Sequence, residues 1–149
     1  MDSKIKMVLV TGGFDPIHSG HIKYFEDAKK LGDFLIVGIN SDEWLVRKKG
    51  KPFLPLNERF EIIRNLRMVD EVITWNDNDD TANEAINLLL DKYPESKVVF
   101  ANGGDRTNEN IPEMDKFLNN SNLEFVFGVG GTTKINSSSL LLRNWIENK

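Results

Sequence analysis

The two histidines of this 149-residue chain stand three residues apart, as His18 and His21, with Ser19 and Gly20 between them. Ahead of them runs Met7-Val8-Leu9-Val10-Thr11-Gly12-Gly13-Phe14-Asp15-Pro16-Ile17, an apolar stretch followed by a double glycine. The order predicts a short buried strand, a glycine turn and a helix beginning near Ser19. Such a junction suits an anion. Backbone N–H groups at a glycine turn and at a helix N-terminus are unpaired donors, and the helix dipole adds partial positive charge there. Imidazoles three residues apart on one helical turn share a face, so both can reach one phosphate. Gly20 leaves room for a ligand to approach the backbone. The plainer alternative is a pair of surface histidines beside a turn.

Two other phosphate-binding patterns are absent. No Gly-x-x-x-x-Gly-Lys-Ser/Thr run occurs, and Gly12-Gly13 lacks the G-x-G-x-x-G spacing of dinucleotide binders. A turn with two histidines suits transfer at phosphorus, which asks the protein mainly for alignment and charge neutralisation. Asp105, in Ala101-Asn102-Gly103-Gly104-Asp105-Arg106, could accept hydrogen bonds from a base or ribose, or cap the next turn. Near the C-terminus, Thr132-Thr133-Lys134-Ile135-Asn136-Ser137-Ser138 precedes a helical pattern and could form a second phosphate cradle. Ordinary N-capping by Asn136 or Ser137 explains the same residues.

The elements that must carry these residues are legible from periodicity. Residues 7–10, 34–38, 71–74, 98–101 and 125–127 read as five short strands rich in Val, Ile and Phe. Ile22, Phe25, Ala28 and Leu31 mark an amphipathic helix closed by Gly32. Further helices are expected over 57–67, over 81–92 with Thr81 as N-cap, briefly from Pro112, and over 137–147 with Leu140, Leu141 and Trp145 as its apolar stripe. Strand–helix alternation predicts an α/β fold, a doubly wound parallel five-stranded sheet with helices on both faces. Ligands of such sheets bind at the carboxyl ends of the strands. Residues 11–21, 40–42 and 102–105 each follow a strand and should converge there.

Length and composition fit a single domain over 1–149, with 40% hydrophobic and 28% charged residues as in soluble globular proteins. The absence of cysteine excludes disulfides and thiolate metal sites. No apolar run reaches signal-peptide or membrane-span length, so a cytoplasmic enzyme is expected, with no membrane partner. A net charge of −4 argues against a nucleic-acid partner. It also requires that positive charge for a polyanion be concentrated locally. The densest basic run is Arg47-Lys48-Lys49-Gly50-Lys51, and residues 47–53 are expected to form a mobile loop that a triphosphate would order.

The segment Gly12-Gly13-Phe14-Asp15-Pro16-Ile17-His18-Ser19-Gly20-His21 resembles the HxGH signature of the cytidylyltransferase-like nucleotidyltransferase superfamily. The likeness continues through Lys29-Lys30-Leu31-Gly32-Asp33, Asn40-Ser41-Asp42-Glu43, Arg59 and Val69-Asp70-Glu71-Val72. It reaches Asn102-Gly103-Gly104-Asp105 and, more loosely, Ile135-Asn136-Ser137-Ser138. Among members, the chain looks most like glycerol-3-phosphate cytidylyltransferases and heptose-1-phosphate adenylyltransferases. The resemblance implies a Rossmann-like fold and transfer of a nucleotidyl group to a small phosphorylated alcohol or sugar, with pyrophosphate released. CTP is the favoured donor and ATP the alternative; Mg²⁺ and a homodimer are expected. By the same resemblance, His18, His21, Lys48 and Arg59 form the catalytic set, Lys48 matching a triphosphate-binding lysine and Arg59 a helix arginine. Gly12, Gly13, Phe14, His18, Gly20, His21, Asp105, Ile135, Asn136, Ser137 and Ser138 form the nucleotide-binding set.

Two departures from the family pattern matter. Cytidylyltransferases carry an arginine several residues before the Ser/Thr cluster, where this chain has Gly130-Gly131; Lys134 could replace its charge. Glycerol-3-phosphate cytidylyltransferases carry a lysine in the loop after the third strand. Here that loop is Trp75-Asn76-Asp77-Asn78-Asp79-Asp80, whose charges should repel an anionic acceptor unless a metal intervenes. The alternatives are an ATP-dependent sugar-phosphate adenylyltransferase, toward which 47–51 and 55–59 lean, and a non-catalytic nucleotide-binding module.

Overall fold

The computed structural model describes residues 4–104, 111–117, 119–131 and 137–147. Strands β1 (Lys6–Gly12), β2 (Phe34–Ile39), β3 (Glu71–Ile73), β4 (Lys97–Gly103) and β5 (Leu123–Val129) form a parallel sheet in the order β3-β2-β1-β4-β5. In the central strand, Val8 pairs with Leu35 on one side and Val99 on the other. Both faces of β1 are covered, which explains an unbroken rather than alternating apolar run. Met7 and Leu9 pack with Ile36, Ile86, Leu89 and Phe100 on one face; Val8 and Val10 pack with Phe25, Ala28, Leu35 and Ile63 on the other.

Helices α1 (Ser19–Lys29) and α3 (Leu56–Arg64) cover the second face, while α4 (Asn83–Lys92) and the short α5 (Glu113–Lys116) lie on the first. This is the Rossmann-like, doubly wound architecture read from the sequence. After β3 the chain returns to the other side of β1, so the switch point opens between the carboxyl ends of β1 and β4. Among the described residues no helix is long and apolar enough to cross a membrane.

The structure corrects several local expectations. Residues 47–49 are not loop: they end helix α2 (Asp42–Lys49), whose Ser41 cap accepts a hydrogen bond from Trp44 N–H at 3.0 Å. Neither is the basic run simply self-repelling. Arg47 pairs with Asp80 at 2.9 Å, and Lys49 lies 3.5 Å from Asp15 and donates to the Asp15 carbonyl. Helix α4 starts two residues later than expected because Thr81 turns its hydroxyl to Asn83 N–H at 3.2 Å and Ala82 takes the capping position. The stripe of α6 (Ser138–Glu147) is not core: Leu140, Trp145 and Ile146 are exposed. Asp70, at the entrance to β3, is structural: it accepts from Leu35 N–H at 2.8 Å and from Lys29.

The most consequential correction concerns Arg59. The resemblance places it in the catalytic set, but its side chain does not line the cleft at the strand ends. Its side chain is fully buried, and its guanidinium donates to Leu54 O (2.9 Å), Gly13 O (2.9 Å), Asn40 O (2.7 Å) and Asp42 Oδ1 (2.7 Å). It is a positioning residue that joins the ends of β1 and β2 to α2 and to the segment before α3. Arginine suits this task because its planar, always charged fork offers five donors in fixed directions. Removing it would leave three carbonyls and a carboxylate short of a partner. Arg59→Ala should therefore lower unfolding free energy by about 3–5 kcal/mol in urea titration. Arg59→Lys should recover only part of that loss. A cost below about 1 kcal/mol would show that the clamp is not structural.

Candidate active site

A cleft of about 570 Å³ opens over the carboxyl ends of the strands. It gathers Gly12, Gly13, Phe14, His18, Gly20 and His21 from the first junction, Lys48 from α2, and Ser137 and Ser138 from the start of α6. The expected convergence therefore holds for these residues. Arg59 is not among the cleft-lining residues. Asp105, Ile135 and Asn136 lie outside the described residues, as does Lys134.

The turn owes its shape to the residues behind it. Gly12 O accepts from Asn40 N–H at 2.9 Å, and Gly13 O from Arg59. In a trans peptide the carbonyl and the following N–H point in opposite directions. The N–H groups of Gly13 and Phe14 therefore point away from Asn40 and Arg59, and both residues line the cleft. Phe14 takes a left-handed backbone, φ 50°, a conformation that costs a non-glycine residue about 1–2 kcal/mol. Burial of its ring offsets that cost: it meets His21 edge-on at 5.0 Å and Phe25 at 5.1 Å. A Cβ on Gly12 would come within 2.9 Å of the Phe14 ring, so a side chain there would have to displace that ring. Asp15, buried behind the turn, fixes its far side by accepting from Phe53 and Leu54 N–H groups, both at 2.6 Å.

The histidines cap their own helix. His18 Nδ1 accepts from Gly20 N–H at 3.0 Å, and His21 Nδ1 accepts from His18 N–H at 3.2 Å, a reciprocal capping box. The backbone donors expected to face the anion are thus partly taken by the imidazoles themselves. The exchange leaves each ring with its proton on Nε2, so each side chain presents one N–H donor. The rings lie 3.9 Å apart at 31°. Gly20 has no room for a side chain, because a Cβ would fall 2.8 Å from the His18 ring.

Burial, reinforced by the neighbouring His18, pushes the His21 imidazole down to about 3, and burial also lowers His18. Both rings are neutral at physiological pH in the free protein. Lys48 and Lys23 line the same cleft and make no ion pair among the described residues; the Lys48 ammonium lies 5.5 Å from the centre of the Trp44 ring. The acidic loop after β3 carries less uncompensated charge than its sequence suggests. Burial would raise the Asp77 carboxyl, but hydrogen bonds from Asn40 and from the side chain and N–H of Ser41 hold it below its ordinary value. Asp80 is paired with Arg47, and Asp79 accepts from the Thr81 N–H and hydroxyl.

Sequence reasoning missed Lys23, Tyr24, Trp44, Trp75 and Glu113 as cleft residues. Trp75, two positions past β3, was within reach of the rule that ligands gather at strand ends. Lys23 and Tyr24 follow His21 on α1 and look like ordinary helix surface. Ser137 fits both of its readings, since its hydroxyl caps α6 by accepting from Leu140 N–H at 3.1 Å while the residue lines the cleft.

The lowered imidazoles give a signed pH dependence. Between about pH 6.5 and 3 the unfolded chain binds a proton at His21 that the folded chain does not, so stability is full above 6.5 and falls with pH below it. One such group gives a slope of about 1.4 kcal/mol per pH unit. Urea unfolding from pH 7 to pH 5 should show this loss. His21→Gln, which can keep the cap without titrating, should remove most of it; an unchanged slope would contradict the assignment.

The cytidylyltransferase-like family model matches residues 9–141. The bifunctional protein HldE of Haemophilus influenzae strain Rd is 40% identical in an alignment 114 positions long that covers 67% of this chain and 24% of that protein. HldE of Erwinia tasmaniensis is 42% identical in an alignment of the same length that covers 67% of this chain and 23% of that protein. The chain therefore spans about a quarter of these relatives. Among solved structures, the lipopolysaccharide core biosynthesis protein of Thermoplasma volcanium superposes with a TM-score of 0.65 at 25% identity, over 89% of this chain and 99% of that one. A nicotinate-nucleotide adenylyltransferase assigned in Vibrio parahaemolyticus shares the fold, with a TM-score of 0.61 at 17% identity over 97% and 89% of the two chains. With the HxGH turn, the sheet order and the family match in agreement, this chain belongs to the cytidylyltransferase-like family of nucleotidyltransferases.

Proposed function

We propose that this protein joins a nucleoside triphosphate, CTP before ATP, to a small phosphorylated alcohol or sugar, releasing pyrophosphate. The observation that carries the reading is the pair of stacked imidazoles, each locked as an Nε2–H donor at the carboxyl end of the central strand. In the reaction a phosphate oxygen of the acceptor forms a bond to the α-phosphorus of the nucleotide. The bond from that phosphorus to the oxygen bridging to the β-phosphate breaks, and its electrons leave with pyrophosphate. No protein nucleophile is required. His18 and His21 donate to the triphosphate and stabilise charge developing at the α-phosphorus, the Gly13 and Phe14 N–H groups supplement them, and Lys48 holds the outer phosphates. Arg59 acts one layer back, by orienting the turn.

Mg²⁺ would arrive with the triphosphate, held mainly by phosphate oxygens and water. The preference for CTP rests on the overall layout of the sequence. A second reading, an ATP-dependent adenylyltransferase of a sugar phosphate such as a heptose 1-phosphate, is favoured by the resemblance of 47–51 and 55–59 to those enzymes. We also propose a homodimer acting in the cytoplasm; light scattering should give twice the 17.0 kDa of one chain.

Pyrophosphate release measured with each of the four triphosphates against a panel of phosphorylated alcohols and sugars tests the reading. Release with CTP and at least one acceptor is expected; release with ATP alone would select the second reading, and none across the panel would oppose both. His18→Ala should lower kcat by about 10²–10³. Lys48→Ala should reduce turnover while leaving the melting temperature close to wild type, since an exposed lysine contributes little to folding. Equal losses of activity and stability would make Lys48 structural.

A further inference from the structure

The cleft contains a carboxylate that the phosphate chemistry does not use. Glu113, on α5, is 2% exposed and lines the cleft. Its Oε2 accepts from Ala82 N–H at 2.7 Å, while its buried Oε1 has no hydrogen-bond partner among the described residues. A buried, unpaired carboxylate oxygen costs free energy unless a ligand donor reaches it. Ala82 adjoins Thr81, whose carbonyl accepts from the Trp75 indole N–H at 2.9 Å, so the carboxylate and the indole are tied to one backbone segment. Both cleft indoles are held close over glycine: a Cβ on Gly38 would meet Trp75 at 2.9 Å, and one on Gly13 would meet Trp44 at 3.1 Å. Two flat apolar walls and an unused acceptor therefore share the cleft with the phosphate-binding turn.

Resting on the nucleotidyltransferase reading and on its sugar-phosphate acceptors, we infer that Glu113, with Trp75 and Trp44, is the specificity-determining group that selects the acceptor by reading one of its hydroxyls. The carboxylate cannot be reading the phosphate, because like charges repel; it accepts from a hydroxyl at the other end of the acceptor. The indole faces suit the C–H-bearing face of a sugar ring. The acceptor phosphate is then left toward the Lys48 and histidine side, where it must attack. An unsubstituted phosphate ester would leave Glu113 Oε1 buried and unpaired, and a site built around such a group discriminates against ligands that lack the donor.

Calorimetric titration of the intact protein with glucose 1-phosphate, a heptose 1-phosphate and methyl phosphate tests this, with nucleotide binding followed separately by thermal shift. At least one sugar phosphate should bind more than about tenfold better than methyl phosphate. Glu113→Gln keeps an oxygen for Ala82 N–H but puts an amide N–H₂ in place of the unpaired Oε1. It should lose most of that preference while nucleotide shifts and methyl phosphate affinity stay within about twofold of wild type. Wild-type protein that does not distinguish the sugar phosphates from methyl phosphate would overturn the inference, and that arm needs no variant to fold. So would a Glu113→Gln protein that melts like wild type and keeps the preference. Pyrophosphate release that proceeds with acceptors indifferent to Glu113 would sink this inference alone. Glu113-dependent sugar-phosphate binding without any nucleotide transfer would sink the transferase reading alone.

Discussion

The geometry of the cleft depends on one buried guanidinium. Arg59 reaches from α3 across to the ends of β1 and β2 and holds their last carbonyls, while Asp42 neutralises its charge from the start of α2. A glycine turn is adaptable, and adaptability is a poor property where donors must meet phosphate oxygens within a few tenths of an ångström. By drawing the Gly13 carbonyl inward, Arg59 sends the following N–H outward. Asp15 restrains the same turn from the opposite side, through the N–H groups of Phe53 and Leu54. Positive charge is thereby spent in the interior on shape, and the charge that meets solvent in the cleft comes from Lys23 and Lys48.

The histidines illustrate how one residue pair serves structure and chemistry together. Each Nδ1 is committed to the helix cap, which fixes the tautomer and leaves Nε2–H as the outward donor. Their closeness and burial keep the rings neutral when the cleft is empty of anions. A bound triphosphate would favour positive charge on the rings, but a proton could add only at Nδ1, which the cap occupies, so the pair meets the phosphates as two neutral Nε2–H donors. The opposite character of Glu113, an acceptor with an unused oxygen, gives the same cleft a polarity along which a phosphorylated acceptor can be oriented.

Much of this was legible in the sequence, for identifiable reasons. The five strands stand out because a sheet covered on both faces demands continuous apolar runs, and 7–10 and 98–101 supply them. The His18–His21 turn is visible because glycine and histidine types are themselves the signal. Arg59 could be located but not understood: its partners are backbone carbonyls of Gly13, Asn40 and Leu54, which leave no trace in side-chain pattern. The end of α2 reads as loop in sequence because Gly50 and a run of like charges oppose a helix there, whereas Asp80 and Asp15 compensate those charges across the fold. Glu113 carried no sequence signal, since an acidic residue after Pro112 looks like ordinary helix N-terminal chemistry. Its burial arises from packing of α5 against the start of α4. Trp44 and Trp75 likewise gain meaning only once Gly13 and Gly38 are seen beneath them.

The central claim is that Arg59 shapes, and His18 and His21 complete, a seat for the triphosphate. A crystal structure of the protein with a non-hydrolysable CTP or ATP analogue tests it most directly. Phosphate oxygens should lie within about 2.7–3.2 Å of Nε2 on both histidines, with both Nδ1 caps and the Arg59–Gly13 contact intact. Phosphates bound away from this turn, or imidazoles that have rotated to offer Nδ1 and released the helix cap, would contradict it.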